Sequence, residues 1–118
     1  MPVKDLRGYY FTKLVKSLRY LEYSYKRVAK LSPDPAALTA EEFERWDGFA
    51  VRFARSSDLF LSKFITAVIK CDDPAFDGGF RDRLHQAEKL GLVENIPMWM
   101  EIRQLRNGEI LERCGRVT

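Results

Sequence analysis

Histidine occurs once in these 118 residues, at His85, and cysteine twice, at Cys71 and Cys114. One imidazole excludes a histidine-rich zinc site, and two thiols without CxxC spacing give no support to a Cys/His centre. The cysteines read as free thiols. No apolar run approaches the roughly 18 residues of a membrane span, so no membrane contact is expected. The start, Met-Pro-Val-Lys-Asp, lacks the charged-then-apolar layout of an export signal, which places the expected location in the cytoplasm. No strand-length alternating run, internal repeat or low-complexity segment is present. A Gly-rich phosphate loop, a nucleophile elbow, paired carboxylates at catalytic spacing and a metal-ligand cluster are missing as well, so no cofactor or metal is implied.

What remains is an ordinary globular composition, 46% hydrophobic and 31% charged, of a length that makes one domain over residues 1–118 with a single core. The formal charge of +3 permits an anionic partner without requiring one. From about residue 5 to residue 31, Phe11, Leu14, Leu18, Leu21, Tyr25 and Val28 step by three and four, the seam of an amphipathic helix. Its other faces concentrate basic charge at Lys13, Lys16, Arg19, Lys26, Arg27 and Lys30, either a solvated surface or one that meets an anion. Tyr9, Tyr10, Tyr20, Tyr23 and Tyr25 outnumber what one seam buries, and the surplus points to a second interface.

Pro33 and Pro35 end that helix, and Thr39 with Glu42 forms a capping box for the next. There Trp46, Ala50, Phe53, Ser57, Phe60, Phe64, Ala67 and Cys71 alternate four and three, so this helix is expected to be the most buried, with Phe43, Phe49, Phe53, Phe60 and Phe64 as an aromatic core. After Asp72-Asp73-Pro74, a short helix from Phe80 to Leu90 presents Phe80, Leu84 and Ala87 and stops at Gly91. His85 falls one position off that stripe, a surface or boundary residue with no acid or nucleophile spaced to use it.

The most informative stretch is Pro97 to Asn107. Pro97 suits a first helical turn and Asn95 can cap it. Met98, Ile102 and Leu105 share one face, widened by Trp99, while Arg103 and Arg106 lie one i,i+3 step apart beside it. Each guanidinium offers a fixed fork of donors suited to phosphate or carboxylate. Two readings stand: a nucleotide or RNA backbone is held there, or the arginines pair with carboxylates of the same subunit, Asp58, Glu101 or Glu109. Beyond Asn107, Gly108 and a polar tail predict a frayed extension.

The order of these pieces, two long helices, then Phe80-Arg-Asp-Arg-Leu-His-Gln-Ala-Glu-Lys-Leu-Gly-Leu-Val, then Trp99 followed by Arg103-Gln104-Leu105-Arg106-Asn107, resembles the HEPN superfamily. More narrowly it is similar to the HepT-like nucleotidyltransferase substrate-binding proteins, whose F-x-D-x-L-x-x-A-x-x-x-G-L helix precedes a W-x-x-x-R-x-x-R-N segment. Phe53 and Asp58-Leu59 match positions of the family's second helix. The resemblance implies an all-α, HEPN-like up-and-down four-helix bundle, a homodimer, and pairing with a small nucleotidyltransferase in a toxin–antitoxin module. Active members are metal-independent ribonucleases with an R-x(4–6)-H motif, whose start is matched by Arg106 and Asn107. Here the histidine does not follow: Leu111 to Arg113 read Leu-Glu-Arg. Without that imidazole no group near neutral pKa serves proton transfer at the RNA 2′-hydroxyl. The expectation is therefore a non-catalytic subunit that binds a nucleotide or a partner nucleotidyltransferase through Arg103, Arg106 and Asn107. The alternatives are a ribonuclease that works through Arg106 and Asn107, and a purely structural helical dimer.

Overall fold

The computed structural model describes residues 3–106, with side chains from residue 6 onward. All regular structure among them is helical: α1 (Val3–Val28), α2 (Ala40–Asp58), a π-helical segment (Leu59–Phe64), α3 (Ile65–Asp72), α4 (Phe80–Lys89) and α5 (Ile96–Gln104). The caps read from the sequence are formed. Thr39 Oγ1 accepts from the Glu42 N–H at 3.1 Å while Glu42 Oε1 accepts from the Thr39 N–H at 2.9 Å, satisfying two donors at the start of α2. Asn95 Oδ1 accepts from the Met98 N–H at 3.1 Å and starts α5. Gly91, at φ +79°, supplies the left-handed turn after α4.

α2, the π-helical segment and α3 form one continuous rod, since Leu59 and Ile65 both keep right-handed helical angles. α1 runs antiparallel to it, as shown by the pairing of Ser17 with Ser56, Arg52 with Ser24 and the Phe11 ring with Phe64. The main core lies toward one end of this hairpin, where α4 and α5 cover α3. Leu61, Ile65, Ile69, Leu84, Ala87 and Val93 are buried there, ringed by Phe60, Phe80, Trp99 and Ile102. The result is elongated, 50 × 25 × 21 Å.

Three expectations about buried faces need correction. In α1 the buried seam is Leu14, Ser17, Ser24 and Val28, with Leu21 half-buried, whereas Phe11, Leu18 and Tyr25 are 54%, 46% and 57% exposed. The hydroxyls decide this: Ser17 bonds Ser56 at 2.6 Å and Ser24 accepts from Arg52, so small paired polar groups occupy positions between the helices. In the central rod Phe43, Phe49, Phe53, Phe60 and Phe64 are all only half-buried, and the buried line is Ala50, Ser57, Leu61, Ile65 and Ile69. A π turn closes N–H of Ile65 on the carbonyl of Phe60, one residue more than an α turn, and so rotates everything that follows. In α5, Trp99 and Ile102 of the expected face pack on the core, joined by Ile96 and Met100, but Met98 is 43% exposed. The expected tail beyond Asn107, and Cys114 within it, lie outside the described residues; Cys71 is a half-buried free thiol.

Ile69 is fully buried in that core, so Ile69→Ala is expected to lower the unfolding free energy by about 2–5 kcal/mol. Met98→Ala is expected to cost no more than about 0.5 kcal/mol. Urea titration of both variants checks the assignment, and equal losses would contradict the burial pattern.

Candidate anion-binding site

The packing of α5 on the central rod builds a cleft of about 200 Å³ lined by Ser57, Asp58, Leu61, Ser62, Phe80, Arg83, Arg103 and Arg106. Three elements contribute. The rod supplies Ser57 and Asp58 at the end of α2 and Leu61 and Ser62 from the π-helical segment, so the widened turn forms one wall. α4 supplies Phe80 and Arg83, which lie on one face at i and i+3. α5 supplies Arg103, and a π-helical turn at Leu105–Arg106 carries the chain to Arg106.

Within this cleft Arg106 Nη2 donates to Asp58 Oδ1 at 2.9 Å, with both side chains 37% exposed. The Arg103 guanidinium lies 4.2 Å from the centroid of Phe80, and Arg83 approaches the same ring at 5.6 Å. One phenyl thus holds two cations in place through its electron-rich face. Arg83 is the most constrained of the three. Its Nη1 reaches Thr66 Oγ1 at a long 3.4 Å, and its buried Nε has no hydrogen-bond partner. Burial, and then repulsion from Arg103, lower its pKa below the ordinary arginine value, with Asp58 acting in the opposite sense. Three guanidiniums therefore face one carboxylate, and neither Arg83 nor Arg103 has a carboxylate within ion-pair distance among the described residues. An oxyanion in the cleft would relieve that repulsion and accept from the forked donors.

Of the residues singled out by sequence, Arg103 and Arg106 share this cleft, and Asn107 lies outside the described residues. Of the expected carboxylates Asp58 meets Arg106 and Glu109 lies outside the described residues; Arg103 meets a ring. Arg83 was missed. Its position one residue before the buried Leu84 was visible, but nothing in the spacing linked it to a helix that begins at Ile96. His85 is exposed and lines a different cleft, with Arg81, Glu88 and Asn95. Among the described residues no group of His, Cys, Asp and Glu could hold a metal ion, and no helix is long and apolar enough to cross a membrane. No protein-family model, curated protein or solved structure matches the chain.

Because Arg83 carries a charge beside Arg103 and a buried N–H without a partner, Arg83→Met should leave the urea midpoint unchanged or raise it. Methionine preserves the length that packs on Phe80. A marked fall in the midpoint would show that Arg83 is a structural tie rather than a ligand-directed group.

Proposed function

We propose that this chain is a non-catalytic, HEPN-like helical subunit that binds a phosphate-bearing ligand, a nucleotide or RNA, in the cleft of Arg83, Arg103 and Arg106, and that it works with a small partner nucleotidyltransferase in a two-component, toxin–antitoxin type system. One observation carries the ligand class: three guanidiniums converge on a cleft that, among the described residues, has a single carboxylate. Phosphate answers this arrangement better than a neutral metabolite, because it accepts from several forks at once and offsets like-charge repulsion. The non-catalytic assignment follows from the missing histidine after Arg106, since His85 belongs to another face of α4. A small nucleotidyltransferase encoded beside this chain would support the pairing.

Calorimetric titration with ATP and with a short RNA tests the reading. Arg103→Ala and Arg106→Ala should each weaken binding at least tenfold. The Arg106→Ala variant should lose under about 1 kcal/mol of stability, as expected for an ion pair whose two side chains are 37% exposed. RNA incubated with the protein in metal-free buffer should remain intact. Unchanged titrations together with a large drop in melting temperature would favour a purely structural role for the Arg106–Asp58 pair.

The homodimer belongs to the same proposal. A band of rings follows the hairpin: Trp46 meets Phe49 at 5.9 Å, Phe49 meets Tyr25 and Phe53 at 6.3 Å each, Phe11 meets Phe64 at 5.9 Å, and Phe60 meets Trp99 at 4.8 Å. Phe11, Leu18, Tyr25 and Val51 are about half exposed. Side chains of this size left open suit burial against a second copy. Sedimentation equilibrium should give a dimer at micromolar concentration, and Leu18→Lys should shift it toward monomer. A monomeric wild-type protein would remove this part of the proposal.

A further inference from the structure

The cleft of the three arginines adjoins a second, more open groove between α1 and α2, the two meeting at Asp58. That groove, about 380 Å³, shares Asp58 with the first cleft and is lined by Lys13, Lys16, Tyr20, Arg52 and Arg55 over a floor that includes Ser17 and Leu59. Two cations come from each helix. Among the described residues none of the four has a carboxylate within ion-pair distance, and Asp58, the one carboxylate lining the groove, is held by Arg106. Such a surface carries positive charge on both walls and attracts an anion along it. Arg52 also lines the next cleft, of about 340 Å³, where Glu41 and Glu44 lie among Arg27 and Arg45.

Aromatic rings are interleaved with these charges. The Arg52 guanidinium lies 5.8 Å from the Tyr20 ring and 6.0 Å from Tyr23, and both rings are more than half exposed. Flat faces set among cations suit stacked bases, whereas an acidic peptide would use only the charges. A base can stack on a protein ring only when it is unpaired, which points to a single strand rather than a duplex. From Arg52 to Asp58 the rod advances about 9 Å at 1.5 Å per residue, and the arginine cleft extends the path further.

We propose that this groove is a track for single-stranded nucleic acid, in which one phosphate is held by Arg83, Arg103 and Arg106 and the following nucleotides lie along Lys13, Lys16, Arg55 and Arg52 with a base on Tyr20. The inference rests on the phosphate-binding reading of the first cleft and adds that the ligand is a strand. The groove offers charge and ring faces, which do not read the 2′-hydroxyl, so ribo- and deoxyribo-strands are both accepted.

Fluorescence anisotropy with 12-nucleotide oligouridylate and oligothymidylate, alongside competition by UMP, tests it. Both oligomers are expected to bind at least tenfold more tightly than UMP. Four phosphates neutralised in the groove would add about −3 to the slope of log K against log salt, taking about −0.7 per contact for single strands. The double variant Lys16→Ala, Arg55→Ala should lose about 1.4 of that slope and most of the gain with length, while UMP affinity is unchanged. Tyr20→Ala should weaken the oligomers and not UMP. Oligomers that bind no better than UMP would overturn the track and leave the first cleft standing, and binding of neither would overturn both. Displacement by polyglutamate of equal charge as effective as displacement by unlabelled oligomer would also overturn the track.

Discussion

The Leu59–Phe64 turn governs how the two halves of the central rod face their neighbours. An α-helix carries a row of side chains forward in steps of three and four. A turn closed i to i+5 delays that row by one residue, a rotation of about 100° for everything beyond it. Before the turn, Ala50 and Ser56 are buried and Ser56 meets α1. Within it Leu61, and after it Ile65 and Ile69, join Leu84 and Val93 in the core. Without the added residue one uninterrupted face would serve both neighbours. With it, the rod serves α1 on one side and the α4–α5 pair on another, and the wall between these faces carries Ser57, Asp58 and Ser62 into the arginine cleft.

Polarity along the α1–α2 seam follows from this division. The hydrophobic end of the molecule is secured by core packing, but the hairpin beyond it depends on a narrower seam in which serines alternate with Leu14, Leu21 and Val28. Serines at such positions are tolerated because their hydroxyls are paired across the interface. The cost is apolar area. Phe11, Leu18 and Tyr25 are displaced from the seam, and the rings of the rod beside them are only half covered. Cations collect on the other side of α1, and there the groove from Arg52 to Asp58 is formed. One packing choice thus puts Phe11, Leu18 and Tyr25 on one side of α1 and the cations, with Tyr20 among them, on the other.

Electrostatic strain in the site has a related origin. Arg83 is half-buried, and Arg103, though exposed, lies over Phe80 beside it. Asp58 offsets part of the charge through Arg106. Burial, and then the remaining repulsion from Arg103, lower the pKa of Arg83.

Much of the local structure was legible in the residues. The Thr39–Glu42 capping box, the Asn95 cap, the stop at Gly91 and the proline breaks depend on contacts within a few positions, and the all-helical class follows from apolar periodicity without strand-like alternation. The proximity of Arg103 to Arg106 was equally local. Which face is buried was not, because Leu18 and Ser17 are separated by a rotation of about 100° that only the hydroxyl pair with Ser56 decides. The π turn has no spacing signature in Leu59-Phe-Leu-Ser-Lys-Phe64, whose apolar residues suit an α-helix as well. The site's third arginine was hidden for the same reason: Arg83 and Arg106 lie 23 positions apart, and only the packing of α4 and α5 on the rod brings them and Asp58 to one cleft. Sequence alone determined the helices, their ends and the chemistry they carry, since those are set by short-range hydrogen bonds and period. Tertiary structure decided which residues meet, since that depends on the rotation of each helix about its axis, and the hydroxyl pair and the π turn set that rotation.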